Sequence, residues 1–117
     1  MFPSQVEFLR HILFECLYLE KESRGNTFED FLRSERLSRA VCRSLEIIGE
    51  ATNKIQIEIK LKYPEVPWRE MSDIRNKIIH HYFGIDYDII WDTISTDIPA
   101  IKASIEKIIQ TEFDKTI

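Results

Sequence analysis

The stretch SERLSRAVCRSLEIIGEATNKIQIEIKLK, residues 34–62, decides the fold. Aliphatic side chains recur in it at three- and four-residue steps, and about 100° per residue places them on one side of a helix. The stretch therefore predicts one long amphipathic helix, which Tyr63 and Pro64 end. Its predicted apolar stripe consists of Leu37, Val41, Leu45, Ile48, Ala51, Ile55 and Ile59.

Two more helices are predicted from the same kind of periodicity. The first runs from about Ser4 to Ser23, with Ser4 and Glu7 forming a capping box. Thr27 starts a short turn after it. A third helix contains residues 75–82 and ends at Gly84.

The last predicted helix begins at Asp86 or Tyr87 and has a long isoleucine stripe. Pro99 lies inside this stripe and should kink the helix or split it in two, because proline lacks the backbone N–H that a helix interior requires. The short connections favour antiparallel packing of neighbouring helices. The sequence therefore predicts an all-α antiparallel four-helix bundle, with residues 1–117 forming one domain.

The composition agrees with such a domain and limits the function. With 44% apolar and 31% charged residues, three glycines and four prolines, the chain can bury a core and favours helices over strands. Cys16 and Cys42 fit small buried hydrophobic residues in a reducing cytosol, although a disulfide stays open. Neither a signal peptide nor a membrane span is expected, and the predicted location is cytoplasmic. The net charge of −4 argues against a large RNA-binding surface, but it permits a small cationic site.

The stretch RNKIIHHY, residues 75–82, holds the candidate site. On a helical wheel Arg75 lies in the middle of an apolar arc, where an unpaired charge costs several kcal/mol. Asn76 and His80 are four residues apart and share a face. Arg75 and His80 are five apart, about 140° around the helix, so a second copy across a two-fold axis could bring them together.

A purely structural explanation competes with this one. The two histidines could favour the negative C-terminal end of the helix dipole, and Tyr82 could belong to the core. Arg75 could form a buried salt bridge with Glu46 or Glu50. The wheel geometry leaves both explanations open.

Two other surface features of the long helix are candidates for binding. Arg36, Arg39 and Arg43 share a face that could guide an RNA backbone, or could pair with nearby carboxylates as ordinary surface charges. Small and apolar side chains away from the main stripe would let another helix approach, so they form a candidate interface. These residues are Gly49, Glu50, Asn53 and Ile57.

The stretch 75–82 resembles the Arg-x4-His-x-Tyr motif of the HepT-like ribonuclease toxins, in the HEPN superfamily. Arg75, Asn76, His80 and Tyr82 take the arginine, polar, histidine and tyrosine positions. SLEIIGEATNKI, residues 44–55, is similar to the family's segment around Ile-Gly-Glu-Ala. Residues 63–94 are similar to the family's segment that runs from a Pro-Trp turn through the Gly-Ile-Asp that opens the last helix. The resemblance spans most of the chain and is weakest before Thr27.

The resemblance implies a toxin with metal-independent ribonuclease activity, often against tRNA, that works as a homodimer or a higher oligomer. It implies no cofactor. It also implies an antitoxin partner, a minimal nucleotidyltransferase of the MntA type, which adds AMP groups to the motif tyrosine, here Tyr82. Such groups would block the site and repel RNA phosphates.

The chemistry suits these residue types. Histidine, with an ordinary pKa near 6.5, can transfer protons when a 2′-hydroxyl attacks the adjacent phosphorus, and arginine offers a planar donor fork to phosphate oxygens. We therefore expect His80 to transfer protons, Arg75 to stabilise the phosphate and Asn76 to position them. Lys77 and His81 are further candidate RNA-binding residues. The rival functions are a non-catalytic subunit that binds nucleotide or substrate for the transferase, and a purely structural dimerisation domain.

Overall fold

The predicted long second helix is in fact two helices, α3 (Glu35–Asn53) and α4 (Ile57–Lys62). The computed structural model describes residues 5–80 and 86–113, except for the side chains at positions 75 and 78–80. Every regular element in these ranges is helical, so the predicted all-α class is confirmed. The other elements are α1 (Gln5–Gly25), α2 (Phe28–Arg33), α5 (Trp68–His80), α6 (Tyr87–Asp92), a π-helical segment (Thr93–Asp97) and α7 (Ile98–Glu112).

The break between α3 and α4 is held by a side chain from the start of α1. Gln5 donates its Nε2 hydrogen to the carbonyl of Lys54 at 3.2 Å, and its Oε1 accepts from the backbone N–H of Gln56 at 2.7 Å. Backbone groups freed at a helix end need such partners. Thr52, fully buried, donates its hydroxyl to the Ile48 carbonyl at 2.7 Å, a bond that often bends helices. The prediction of one continuous helix was wrong because the residue that holds the break lies about fifty positions away.

The structures of α1 and α2 agree more closely with the predictions from sequence. α1 ends at Gly25, two residues beyond the predicted end. Ser4, half of the predicted capping box, lies outside the described residues, and Glu7 pairs with Arg10 at 3.1 Å. The predicted turn after Thr27 is the short helix α2, where Thr27 and Asp30 form a capping box of their own.

The last helix begins where the sequence places it and changes its geometry ahead of Pro99. The side chain of Asp86 caps α6 by accepting from the Ile89 N–H at 3.1 Å. In the π segment the N–H of Ile98 donates to the carbonyl of Thr93, five residues back. Pro99 then sits in the first turn of α7, where its missing N–H costs nothing. The predicted kink or split therefore takes the form of a π-helical segment ahead of Pro99, through which the chain stays helical.

The helices pack in the order α5, α3, α1, α7, with α1 between α3 and α7, and α3 between α1 and α5. The predicted stripe runs from α3 through the break into α4 and belongs to the core, with only its ends at Leu37 and Ile59 half-buried. α2 packs Phe31, which is fully buried, against Tyr87 and Trp91 of α6, with ring centroids 5.6 and 5.3 Å apart. Aromatic pairs at such distances are favourable.

A polar contact joins α1 to α7 inside this apolar packing. Glu20 is buried and accepts from Lys102 Nζ at 2.9 Å. Burial raises the pKa of the Cys16 thiol, one turn away, to about 12, so the thiol stays neutral. Cys16 is buried, Cys42 is half-buried, and both are free, as the reading of small hydrophobic residues predicts. Within the described ranges no helix is both long and apolar enough to cross a membrane.

Candidate active site

The helix that carries the candidate motif, α5, is anchored at its N-terminus. Pro67 precedes it and accepts from the Met71 N–H at 3.0 Å, as expected for a proline that opens a helix. Trp68 is buried and donates its indole N–H to the Tyr63 carbonyl at 2.9 Å. Tyr63 in turn donates its hydroxyl to Glu112 near the end of α7. The Pro-Trp turn therefore fixes where α5 begins relative to α4 and α7.

A second constraint on α5 comes from Gly49 of α3. A Cβ at this position would lie 3.2 Å from the carbonyl oxygen of Met71 and 3.6 Å from both the Ser72 carbonyl oxygen and Ile74 Cγ2. Glycine permits this close approach of two helix backbones. The contacted residues lie directly before Arg75 in the sequence of α5. The contact therefore sets the position of the motif along α5 relative to α3.

This contact agrees with the prediction that another helix approaches the small residues around Gly49. The helix that approaches Gly49 is α5 of the same chain. The sequence could not name this helix, because a helical wheel shows that a face can be contacted but not which helix contacts it. Asn53 and Ile57, the other end of the predicted interface, lie beyond the contact and are exposed, Ile57 by 59%. Glu50 is half-buried and lies 3.6 Å from Arg43.

Arg75, Asn76 and His80 all belong to α5. Five residues of helix separate Arg75 and His80 by about 7.5 Å along the axis. The side chains of Arg75 and His80 lie outside the described part of the structure, as do His81 and Tyr82 and the predicted helix end at Gly84. Their convergence on one site therefore stays a prediction.

Asn76 is the one catalytic candidate with a described side chain. It is exposed, and its Nδ2 donates to the Oδ1 of Asp73 at 3.0 Å, one turn earlier in α5. Among the residues that the structure describes, neither the Asn76 carbonyl oxygen nor its second amide hydrogen has a partner, so both can contact a ligand. Lys77, also exposed, lies on another face of the helix and lines a groove beside α5.

The three arginines of α3 are exposed, as predicted, and two of them have carboxylate partners. Arg39 pairs with Glu35, and Arg43 lies 3.3 Å from Glu46 and 3.6 Å from Glu50. Exposed pairs of this kind contribute little to stability, but they offset charge that RNA would otherwise meet. Arg36 forms no ion pair with any residue that the structure describes. An RNA-guiding role of the three stays a prediction.

The groove beside α5 is a feature that the sequence analysis missed. It lies between α5 on one side and α6, the π segment and α7 on the other, and its volume is about 640 Å³. A sequence pattern shows which helix faces are apolar, but it does not show that two apolar faces leave a groove between them instead of packing together. Ile89, a large aliphatic residue that lies beside the isoleucine stripe of the last helix, was the available signal, and it is 51% exposed. Among the described residues, no group of three or more His, Cys, Asp or Glu side chains is placed to hold a metal ion.

Comparison with known proteins identifies the family. The sequence profile of the HepT-like ribonucleases matches residues 12–108, which is most of the chain. This chain belongs to the HepT-like ribonuclease family. The expectation drawn from residues 44–55 and 63–94 is therefore confirmed at the level of the family.

Several relatives that carry ribonuclease names match more than two thirds of this HepT-like chain. A protein of Caldanaerobacter subterraneus subsp. tengcongensis named as an RNase is 46% identical over 90% of this chain and 94% of its own length. A protein of Thermococcus cleftensis named as a ribonuclease HepT is 43% identical over 90% of this chain and 96% of its own. One of Methanocaldococcus jannaschii, also named as an RNase, is 48% identical over 72% of this chain and 69% of its own. No solved structure matches.

Proposed function

We propose that this protein is a metal-independent endoribonuclease toxin that cleaves tRNA, with its site on α5. One observation carries the proposal: Arg75, Asn76 and His80 stand on a single helix of a chain that belongs to a ribonuclease family. The anchoring of that helix by Trp68 and Gly49 supports it, because catalytic groups need a rigid carrier.

The reaction follows from the residue types. The 2′-hydroxyl of a ribose attacks the neighbouring phosphorus, the bond from phosphorus to the 5′-oxygen breaks, and a 2′,3′-cyclic phosphate and a 5′-hydroxyl result. The proton lost by the 2′-oxygen is balanced by the proton that the 5′-oxygen gains, and His80 transfers them. Arg75 stabilises the charge on the phosphorane oxygens, and Asn76 orients the reacting groups.

We further propose that two copies of the chain share each site across a two-fold axis. Arg75 and His80 are about 140° apart around α5, so one subunit presents them in different directions. In the proposed dimer, or a higher oligomer built from it, Arg75 of one copy works with His80 of the other.

The ribonuclease is silenced when an MntA-type nucleotidyltransferase adds AMP to Tyr82. The single domain 1–117 acts in the cytoplasm.

The test of activity is incubation of the purified protein with total tRNA in EDTA. Cleavage to cyclic-phosphate ends is expected, and Arg75→Ala or His80→Ala should abolish it without changing the helical circular dichroism signal. Arg69→Ala, an exposed arginine on the same helix, and His11→Ala, an exposed histidine on α1, are the matched controls and should retain full activity. Full activity of Arg75→Ala or His80→Ala refutes the assignment. Wild-type protein that is inert but binds ATP or the transferase supports the non-catalytic subunit.

Mixing the two inactive variants tests the shared site. In a two-fold dimer of one Arg75→Ala and one His80→Ala subunit, one of the two composite sites is intact. After exchange of subunits the mixture should recover about a quarter of the wild-type activity, because about half of the dimers are mixed. A mixture that exchanges subunits but stays inactive would place the complete site within one chain.

Incubation with an MntA-type transferase and ATP should add AMP mass to Tyr82, and none to a Tyr82→Phe variant.

A further inference from the structure

The open side of the helical bundle is a groove with an apolar floor, the α5–α7 groove. Leu45 and Met71 lie at its floor and are almost fully buried, and Ile90 and Ile101 are each 6% exposed. Ile89 at its edge is 51% exposed, although it is a large aliphatic residue. The volume of about 640 Å³ lies within the range of pockets that bind ligands. The groove therefore offers apolar surface that a partner can cover.

The rim of the α5–α7 groove is acidic. Glu65, Glu70, Asp86 and Asp97 line it, and Lys77 is the one cation among the lining residues that the structure describes. Asp86 caps α6, but Glu65, Glu70 and Asp97 form no hydrogen bond or ion pair with any described residue. Three unpaired carboxylates around an apolar floor repel RNA phosphates and favour a cationic occupant.

The shape of the groove favours a helix as that occupant. Its longer wall follows α6, the π segment and α7 from Ile89 to Ser104. At 1.5 Å per residue this wall is about 22 Å long, which matches about 15 residues or four turns of a helix lying beside it. We propose that the α5–α7 groove is the docking site for a basic amphipathic helix of a partner protein. The apolar face of that helix covers Ile74 and Ile89, and its lysines or arginines pair with Glu70 and Asp97.

The exposed face of α1 in a second copy of this chain fits the groove less well. The exposed face of α1 carries Phe14 and Leu17 between basic residues. Two of those basic residues already have partners, since Arg10 lies 3.1 Å from Glu7 and Arg24 lies 3.7 Å from Glu20. That face therefore brings few free cations to three unpaired carboxylates. A partner helix with unpaired basic residues matches the rim better.

The proposal does not depend on the ribonuclease activity, because binding is measured without RNA. The probe is a designed fluorescent peptide of about 16 residues, with leucines on one helical face and lysines along its flanks. Its matched control has glutamate at every lysine position. Fluorescence anisotropy with the full chain should show binding of the basic peptide about tenfold tighter or more than that of the acidic one, weakening as salt is added.

Matched variants assign the binding to the groove. The double variant Glu70→Lys/Asp97→Lys should weaken binding of the basic peptide about tenfold or more. Glu58→Lys/Glu106→Lys changes the net charge equally at exposed positions outside the groove and should leave the affinity within about twofold. Ile89→Ser should also weaken binding, whereas Leu61→Ser, 72% exposed on α4, should not. Unchanged circular dichroism spectra establish that each variant is folded.

Three results would overturn the proposal. Equal binding of the two peptides, or no binding of either, removes the charge argument. Equal loss of affinity in the Glu58→Lys/Glu106→Lys variant shows an effect of net charge and not of the groove. Light scattering that shows self-association abolished by both Phe14→Ser and Glu70→Lys/Asp97→Lys assigns the groove to a second copy of the chain.

Discussion

Gly49 of α3 lies so close to Met71 of α5 that a Cβ at position 49 would be 3.2 Å from the Met71 carbonyl oxygen. The neighbour is helix backbone, which cannot rotate away as a flexible side chain can. This contact places the helix that carries Arg75, Asn76 and His80 against the core of the bundle.

Replacing Gly49 with alanine should therefore displace α5. Alanine gains about 0.5–1 kcal/mol in helix propensity, but overpacking of a close contact costs about 1–3 kcal/mol, so we expect net destabilisation. Urea denaturation measures it. Gly25→Ala is the control, because nothing lies within 4 Å of a Cβ there. A Gly49→Ala protein that is as stable as Gly25→Ala would show that α5 does not depend on this contact.

The Asp73 to Asn76 hydrogen bond predicts a positioning effect on the proposed reaction. Asp73→Ala removes the acceptor that holds the Asn76 amide, and a hydrogen bond of about 0.5–1.5 kcal/mol corresponds to about a two- to tenfold loss of cleavage. Asn76→Ala should lose at least as much, and the double variant no more than Asn76→Ala alone, because the two side chains act together. Rates of tRNA cleavage measure this. Asp88→Ala, an exposed aspartate of α6, should have no effect.

An additive loss in the double variant would instead mean that Asp73 acts independently of Asn76. Full activity of Asn76→Ala would remove Asn76 from the site, while leaving the roles of Arg75 and His80 to their own variants.

The contact between Glu20 and Lys102 predicts a loss of stability in acid. The hydrogen bond from Lys102 holds the pKa of the Glu20 carboxyl below its ordinary value of 4.5, with further help from Arg24 and against the effect of burial. Above pH 4.5 the carboxylate is charged in both folded and unfolded chains, so its stabilisation is complete. As the pH falls below 4.5 the unfolded chain is protonated first, and the stabilisation is lost as the pH passes through the lowered pKa.

Glu20→Gln should therefore be less stable than the wild type by about 1–1.5 kcal/mol at neutral pH, because glutamine can still accept from Lys102 but brings no charge to that hydrogen bond. The difference should shrink steadily below pH 4.5. Urea denaturation between pH 3 and 7 measures it, with Glu106→Gln, an exposed glutamate of α7, as the control. A difference that does not change with pH would show that Glu20 contributes by packing and not by its charge.

The elements that were predicted from sequence are those whose cause is local. The part of the stripe on α3, from Leu37 to Ala51, faces the core because helical periodicity alone places it on one side of that helix. The change at Pro99 follows from a missing N–H at that residue. The predicted start of the last helix at Asp86 or Tyr87 follows from the Asp86 side chain, which caps the N–H of a residue three positions later. Each of these depends on a window of a few residues.

The features that sequence did not predict depend on contacts between distant segments. The α5–α7 groove exists because α5 packs on α3 while α7 packs on α1, which no single helix encodes. Gly49 was recognised as a contact point, but the contacting helix was not. For the candidate site, the sequence motif identified Arg75, Asn76 and His80. The Asp73 partner of Asn76 is local, one turn earlier in α5, and its spacing of three residues could have predicted it. The break after α3 instead depends on a distant contact, since Gln5 holds it from the start of the chain.

Gln5 offers a direct test of that break. Gln5→Ala removes both the bond to the Lys54 carbonyl and the bond from the Gln56 N–H, so we expect a loss of about 1–2 kcal/mol in the free energy of unfolding. Gln5→Glu can still accept from Gln56 but cannot donate to Lys54, so its loss should be about half as large. Urea denaturation measures both, and faster amide hydrogen exchange at Gln56 should accompany the alanine variant. Wild-type stability of Gln5→Ala, with unchanged exchange at Gln56, would mean that buried Ile55 and Thr52 hold the break without help from α1.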